Sequence, residues 1–142
     1  MELQQTLEIQ FEEPKENTEI MAYEKTTDRI IGNLLTAAKI SFTENGSNIV
    51  EINKALQTAS KRGTGKKGFP EFVAQVGDFI LVIEDKADRT KQAIYLNDKK
   101  DTLLMDNTSI INYAENGALH YAQHIACGTT FDKIFAFGCS GS

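Results

Sequence analysis

Glu71, Glu84 and Lys86 are the residues of this chain whose types and spacing could do chemistry together. They flank Gly77-Asp78, two residues set between the strand-like runs 72–76 and 79–83. A two-residue loop that starts with Gly suits a type II′ hairpin turn, because Gly takes the positive φ without steric cost. With 77 and 78 as the loop, Val76 faces Phe79, Ala74 faces Leu81, Phe72 faces Ile83 and Glu71 faces Glu84. Two carboxylates directly opposite each other repel and would weaken the hairpin. A divalent cation between them removes that objection, so the pair reads as an oxygen-ligand site for a hard cation. Lys86, on the same face one step beyond Glu84, could lower the pKa of a metal-bound water or hold an attacking hydroxide. Asp78 shares the parity of Glu84, but six residues of extended strand separate them by roughly 20 Å, so these two cannot share an ion.

The elements that position these groups follow from the same register. Phe72, Ala74, Val76, Phe79, Leu81 and Ile83 fall on one face, which is expected to be the core face. Glu71, Val73, Gln75, Ile80, Val82 and Glu84 fall on the other, expected to carry the site. Asp85 then points toward the core and is a poor ligand through its side chain.

Upstream, residues 2–13 alternate partially, with Leu3, Leu7, Ile9 and Phe11 among polar residues, which fits an edge strand or an ordered arm. Pro14 to Asn17 breaks that pattern, and a helix is expected from about Thr18. From Asp28 to Ile40, the apolar residues Ile31, Leu34, Leu35 and Ala38 recur at helical spacing. A second helix is expected from Asn48, where Asn48 and Glu51 resemble a capping box, with Ile49, Ile52, Leu56 and Ala59 on its apolar face. It runs into residues 61–68, where Lys61, Arg62, Lys66 and Lys67 stand among three glycines. The GxxxxGK[ST] spacing of a phosphate loop is absent there. Two readings remain: a basic loop in which Arg62, Lys66 and Lys67 contact a DNA backbone, or a solvated linker.

Downstream, residues 93–96 and 103–105 either pair as a small hairpin or form an irregular insertion. A helix is expected from Thr108 or Ser109 through Ile125, weakened in its middle by Gly117. His120 and His124 are four apart but lack a third ligand, so they read as paired surface histidines rather than a metal site. The segment 131–137 is expected to be a final strand.

At 142 residues the chain is one domain with room for a core. No apolar run reaches membrane-spanning length, and the start does not resemble a signal peptide, which points to the cytoplasm and away from a membrane. Cys127 and Cys139 form no framework and read as buried or incidental thiols. The net charge of −5 is uneven: residues 1–28 hold eight acids and two lysines, so the remainder carries +1. Such a balance gives little phosphate affinity by itself, and grip on DNA would come largely from elsewhere in a larger protein.

Pro70-Glu71, a gap of twelve, and Glu84-Asp85-Lys86 resemble the pattern of the PD-(D/E)xK nucleases. The likeness is greatest to the nuclease domain at the N-terminus of type I restriction enzyme R subunits, and of restriction enzymes fused to an N6-adenine DNA methylase. Gly68, the run 79–83, and Ala118-Leu119-His120-Tyr121-Ala122 also match, so the resemblance covers roughly 28–142.

The resemblance implies an α/β fold: a restriction-endonuclease-like mixed central sheet flanked by helices, with the hairpin at its active edge. Residues 1–27 would be an N-terminal acidic arm and 28–142 the nuclease-like domain, cut from a longer protein that continues into a helicase motor or a methyltransferase. It implies hydrolysis of double-stranded DNA with Mg²⁺, for which Mn²⁺ could substitute. Glu71, Glu84 and the backbone carbonyl of Asp85 would hold the ion, and Lys86 would orient or deprotonate the attacking water. ATP or S-adenosylmethionine would enter only through other domains, and the partners would be DNA and further restriction-modification domains or subunits.

Asp28 occupies the position that resembles an acid presented by the first core helix of such nucleases; the commoner reading of such an acid is a first-turn residue favoured by the helix dipole. Tyr121 matches the tyrosine of the Gln-x-x-x-Tyr motif, with Gly117 where the glutamine would be; Tyr121 or His120 could touch DNA. Glu71 stands where Asp is usual, a departure that favours the rival reading of a non-catalytic DNA-binding or assembly module. A small-nucleotide or RNA phosphodiesterase is a third.

Overall fold

A computed structural model describes residues 17–141, with side chains from residue 25 onward; the alternating segment 2–13 lies outside the described residues. Its elements in order are α1 (Asn17–Ala37), β1 (Phe42–Glu44), α2 (Val50–Ala55) with a 3₁₀ turn at Leu56–Thr58, β2 (Phe72–Val76), β3 (Phe79–Lys86), a 3₁₀ turn at Arg89–Lys91, α3 (Asn107–Asn112), α4 (Ala114–Gly128) and β4 (Ile134–Ser140). The strands form one mixed sheet in the order β1-β2-β3-β4, flanked by helices. The α/β class and the mixed sheet are thus as expected. The hairpin is interior rather than at an edge, because β1 and β4 occupy the edges.

The register of β2 and β3 is the expected one, Phe72 with Ile83 through Val76 with Phe79, and Gly77 takes a φ of +61° at the turn. Strand β4 runs parallel to β3, reached through α3 and α4. That crossover lays α4 on the face expected to carry the site. Val73, Ile80 and Val82 pack there with Ile52, Leu56, Ala59, Tyr121, Ala122 and Ile125 as the main core. Among the described residues, the face expected to form the core is covered at one end, where Leu35 of α1 meets Phe72 and Ile83. At its other end Val76, Phe79, Phe135 and Phe137 remain exposed. The expectation therefore had the deeper face reversed: a sheet with a parallel crossover is covered on both sides, and alternation cannot rank them.

Other boundaries also differ. Helix α1 starts at Asn17 among the described residues and runs unbroken past residues 27 and 28, so Asp28 lies mid-helix, not in a first turn. Leu34, on the expected apolar stripe, is exposed, and Leu35 carries the contact. The capping box at Asn48 does not form. Ile49 is the N-cap of α2 without a side-chain cap, and the Glu51 carboxylate instead accepts the Thr130 N–H and, at 3.1 Å, its hydroxyl. The helical segment 107–128 breaks at Tyr113, an extended residue (φ −121°, ψ 138°), while Gly117 lies within α4. The last strand begins at Ile134, and of the two readings of Cys127, buried or incidental, its exposure leaves the incidental one.

Of the two readings of 93–105, the small hairpin is the one the backbone supports. Tyr95 and Leu103 form an antiparallel bridge, flanked by the Leu96 N–H donating to the Thr102 carbonyl (2.7 Å) and the Leu104 N–H to the Ile94 carbonyl (3.1 Å). Fully buried Asn116 anchors this excursion. Its side-chain amide donates to the carbonyls of Ile94 (2.9 Å) and Leu104 (2.7 Å), and its oxygen accepts the Ile94 N–H (3.1 Å).

Candidate metal centre and basic cleft

The C-terminal end of β3 presents charged groups to both sides of the sheet. Residue 71 sits on a bend just before β2, so strict alternation lapses there and its backbone and side chain serve different neighbours. Its N–H donates to Oε1 of Glu84 at 2.8 Å. Its carboxylate lies with those of Asp28 and Asp85, each offering an oxygen within 4.8 Å of the other two. Asp28 reaches the group from the middle of α1, so an acid read chiefly as a dipole partner belongs to a cluster. Asp85, expected to be unfit as a side-chain ligand, supplies its carboxylate to the same cluster.

Two oxygens of this trio, Oδ1 of Asp28 and Oδ2 of Asp85, are buried without a hydrogen-bond partner among the described residues. Asp85 is only 4% exposed. Burial, then a hydrogen bond and charge from Asp28, with further charge from Glu71 and Glu84, push its pKa up to about 9. A carboxylate in that setting holds a proton at neutral pH unless a cation replaces it. The donor set is all oxygen and anionic, which fits Mg²⁺, Mn²⁺ or Ca²⁺ rather than a softer ion.

Glu84 is placed differently from the sequence expectation. Its carboxylate, 1% exposed, accepts the Glu71 N–H and a 3.0 Å ion pair from Lys61 Nζ. For Lys61, burial works against the charge, but Glu84 outweighs it, with help from Tyr121 and Glu71, and its pKa rises above the ordinary value. Lys61 also lies over the Tyr121 ring, 5.8 Å from the centroid. The Tyr121 hydroxyl accepts the Phe69 N–H at 3.1 Å. Gly68 must be glycine here, since a Cβ would sit 2.6 Å from the Ala59 carbonyl oxygen and 2.5 Å from Tyr121. Gly117 likewise lets α4 approach the end of α3: a Cβ there would be 2.8 Å from the Ile110 carbonyl oxygen, while it would stand 3.6 Å from Glu84. The glutamine of the Gln-x-x-x-Tyr pattern has no room at this position.

Lys86 shares a cleft of about 310 Å³ with Lys61, Arg62, Lys67, Phe69 and Tyr121. Arg62 and Lys67 therefore line the same cleft as Lys86, whereas Lys66 is exposed in the loop beside it. His120 is half-buried, and its Nε2–H donates to the Ala59 carbonyl at 2.8 Å. That bond occupies one ring nitrogen, and burial lowers the His120 pKa, against the Ala59 hydrogen bond, which raises it. Lys61 is the residue sequence reasoning passed over. Its signal was position: it opens the basic loop directly after the helix whose residues pack under Tyr121.

Over 126 residues, 85% of its length, the chain is 32% identical to the type II restriction enzyme and methyltransferase RM.BcgI of Heyndrickxia coagulans. The chain is related to a restriction enzyme. It spans 19% of the length of that relative. No family model matches the chain. No solved structure matches it either. Among the described residues, no helix is long and apolar enough to cross a membrane.

Proposed function

We propose that this chain is the metal-dependent DNA endonuclease part of a restriction-modification enzyme, hydrolysing phosphodiester bonds of double-stranded DNA. The observation that carries the reading is the trio of half-buried Asp28 and Glu71 with buried Asp85, two of whose oxygens are buried without a hydrogen-bond partner among the described residues, set at the end of the strand that also bears Glu84 and Lys86. Similarity to RM.BcgI supports the restriction-modification setting and DNA as the substrate.

Asp28, Glu71 and Asp85 would hold Mg²⁺, or Mn²⁺ in its place, with Glu84 adjoining through Glu71. When bound, such an ion supplies Lewis acidity toward a phosphoryl oxygen and a lower pKa for water. Lys86 then orients the attacking water or takes its proton from the cleft side. Arg62 and Lys67 hold the flanking phosphates, with Lys66 beside them, through charge-assisted hydrogen bonds. The small net charge outside the N-terminal segment leaves most of the DNA affinity, and any use of ATP or S-adenosylmethionine, to other domains of the parent.

The test is plasmid cleavage by the polypeptide that carries this chain. Wild type should nick or cut in Mg²⁺, and Lys86→Ala should lower the rate by about 10² or more while leaving the melting temperature nearly unchanged. If Lys86→Ala and Asp85→Asn both cut like wild type, the nuclease reading is wrong, and a non-catalytic DNA-binding or assembly module takes its place.

A further inference from the structure

Both oxygens of Glu84 are occupied by the protein itself. Oε1 takes the Glu71 amide and Oε2 takes the Lys61 ammonium, and Glu84 itself is 1% exposed. Lys61 is held far less completely. Its one hydrogen bond among the described residues goes to Glu84, its side chain is 19% exposed, and the cleft containing Lys86 opens beside it. A buried carboxylate left without a cation is costly, the more so with three others nearby. The ammonium therefore answers a need that a divalent ion would answer better.

Resting on the metal reading above, we propose that Lys61 is a positioning residue for the metal centre: a resident counter-ion that holds Glu84 until a divalent ion arrives, then yields it as a ligand beside Glu71. The exchange is local. Glu84 already touches the Glu71 backbone, and Glu71 supplies the carboxylate that faces Asp28 and Asp85. A lysine has a long, adaptable stem and a single charge, so it can retreat where a rigid bidentate arginine pair would not. The released ammonium faces the cleft with Lys86, Arg62 and Lys67, where a phosphate oxygen can take the place of Glu84. Metal loading thereby converts Lys61 from an internal counter-ion into a phosphate ligand, which orders the two events as metal first, DNA second.

Competition for Glu84 lowers the apparent metal affinity by the fraction of time Glu84 is available, so removing a competitor present nine-tenths of the time or more raises affinity about tenfold. Calorimetric titration of the intact chain with Mn²⁺ reads this directly. Lys61→Met and Lys61→Gln should each bind about tenfold tighter than wild type, and Lys61→Arg should keep wild-type affinity or bind more weakly. Lys67→Met, which removes the same charge from the same cleft without freeing Glu84, should stay within about twofold. Adding Glu84→Gln to Lys61→Met should cancel the gain. Equal affinity for Lys61→Met and Lys67→Met, or a gain that survives Glu84→Gln, overturns the proposal while leaving the metal centre standing. Absence of saturable Mn²⁺ binding in both wild type and Lys61→Met overturns the metal reading itself.

Discussion

Consecutive residues of β3 meet opposite fates on the two sides of the sheet. On the α4 side, Glu84 is paired with Lys61 and a backbone amide; on the α1 side, Asp85 meets Asp28 and Glu71, both acids. Both carboxylates are buried to nearly the same degree. Burial alone therefore does not make a site. What distinguishes the α1 side, among the described residues, is that three carboxyl groups converge with two buried oxygens left without a hydrogen bond, and burial with the neighbouring acids raises the Asp85 pKa to about 9. The α4 side has a cation of its own, and its polar groups close on one another.

The largest effect should come from removing the imbalance. Asp85→Asn puts a neutral amide where the cation-free trio already holds a protonated carboxyl, so the cation-free protein should melt at nearly the same temperature at neutral pH. Its melting point should no longer respond to Mn²⁺, whereas wild type at 100 times its Kd should gain about 2.7 kcal/mol. A full Mn²⁺ response in Asp85→Asn would erase the contrast between the two sides.

An intermediate effect concerns protons. The folded pKa of Asp85 lies above its unfolded value near 3.8, so the native state binds more protons than the unfolded chain between that value and about 9. The contribution of Asp85 to cation-free stability is thus complete below about pH 3.8 and is lost as pH rises through about 9. A divalent ion must displace the same proton, so Mn²⁺ affinity should rise by up to about tenfold per pH unit from pH 6 to 8 and level off near 9. Titrations in buffers of different ionisation enthalpy should show close to one proton released at neutral pH. Affinity flat with pH would mean that the trio is already ionised.

The smallest effect sharpens the comparison from outside the site. Asp78 and Lys133 form an ion pair of 2.6 Å at the hairpin tip, shorter than Lys61–Glu84, yet their side chains are 68% and 49% exposed. Asp78→Asn should change stability by less than about 0.5 kcal/mol. A loss of several kcal/mol would show that contact length, not burial, sets the worth of ion pairs in this protein.

The hairpin was legible because a Gly-first, two-residue loop between two apolar runs fixes one register, and that register is the one observed. The depth of its faces was not. Ile80, Val82 and Val73 are apolar on the nominally polar face, and such two-sided apolarity is the mark of a strand covered by helices on both sides. Reading it that way would have buried Glu84 and asked what neutralises it. The placement of Asp28 was visible as a position but not as a contact, since nothing local tells which turn of a long helix will meet the end of a distant strand. The bend at Glu71 was hidden for a similar reason. Alternation assumes an extended backbone, and the residue after Pro70 has already left it.

Asn116 has a consequence for how this chain can vary. One side-chain amide does for residues 94 and 104 what a neighbouring strand would do, supplying two donors and an acceptor to backbone that no sheet reaches. The anchored ends are therefore held independently of what lies between them. The tip at residues 97–101 is exposed and stabilised by its own short-range bonds, such as that from Asn97 to Asp101. Closing a longer loop costs only about 0.6 kcal/mol per doubling of its length, so this tip is where the molecule can accept added sequence, a tag or a grafted recognition element, without the sheet registering the change.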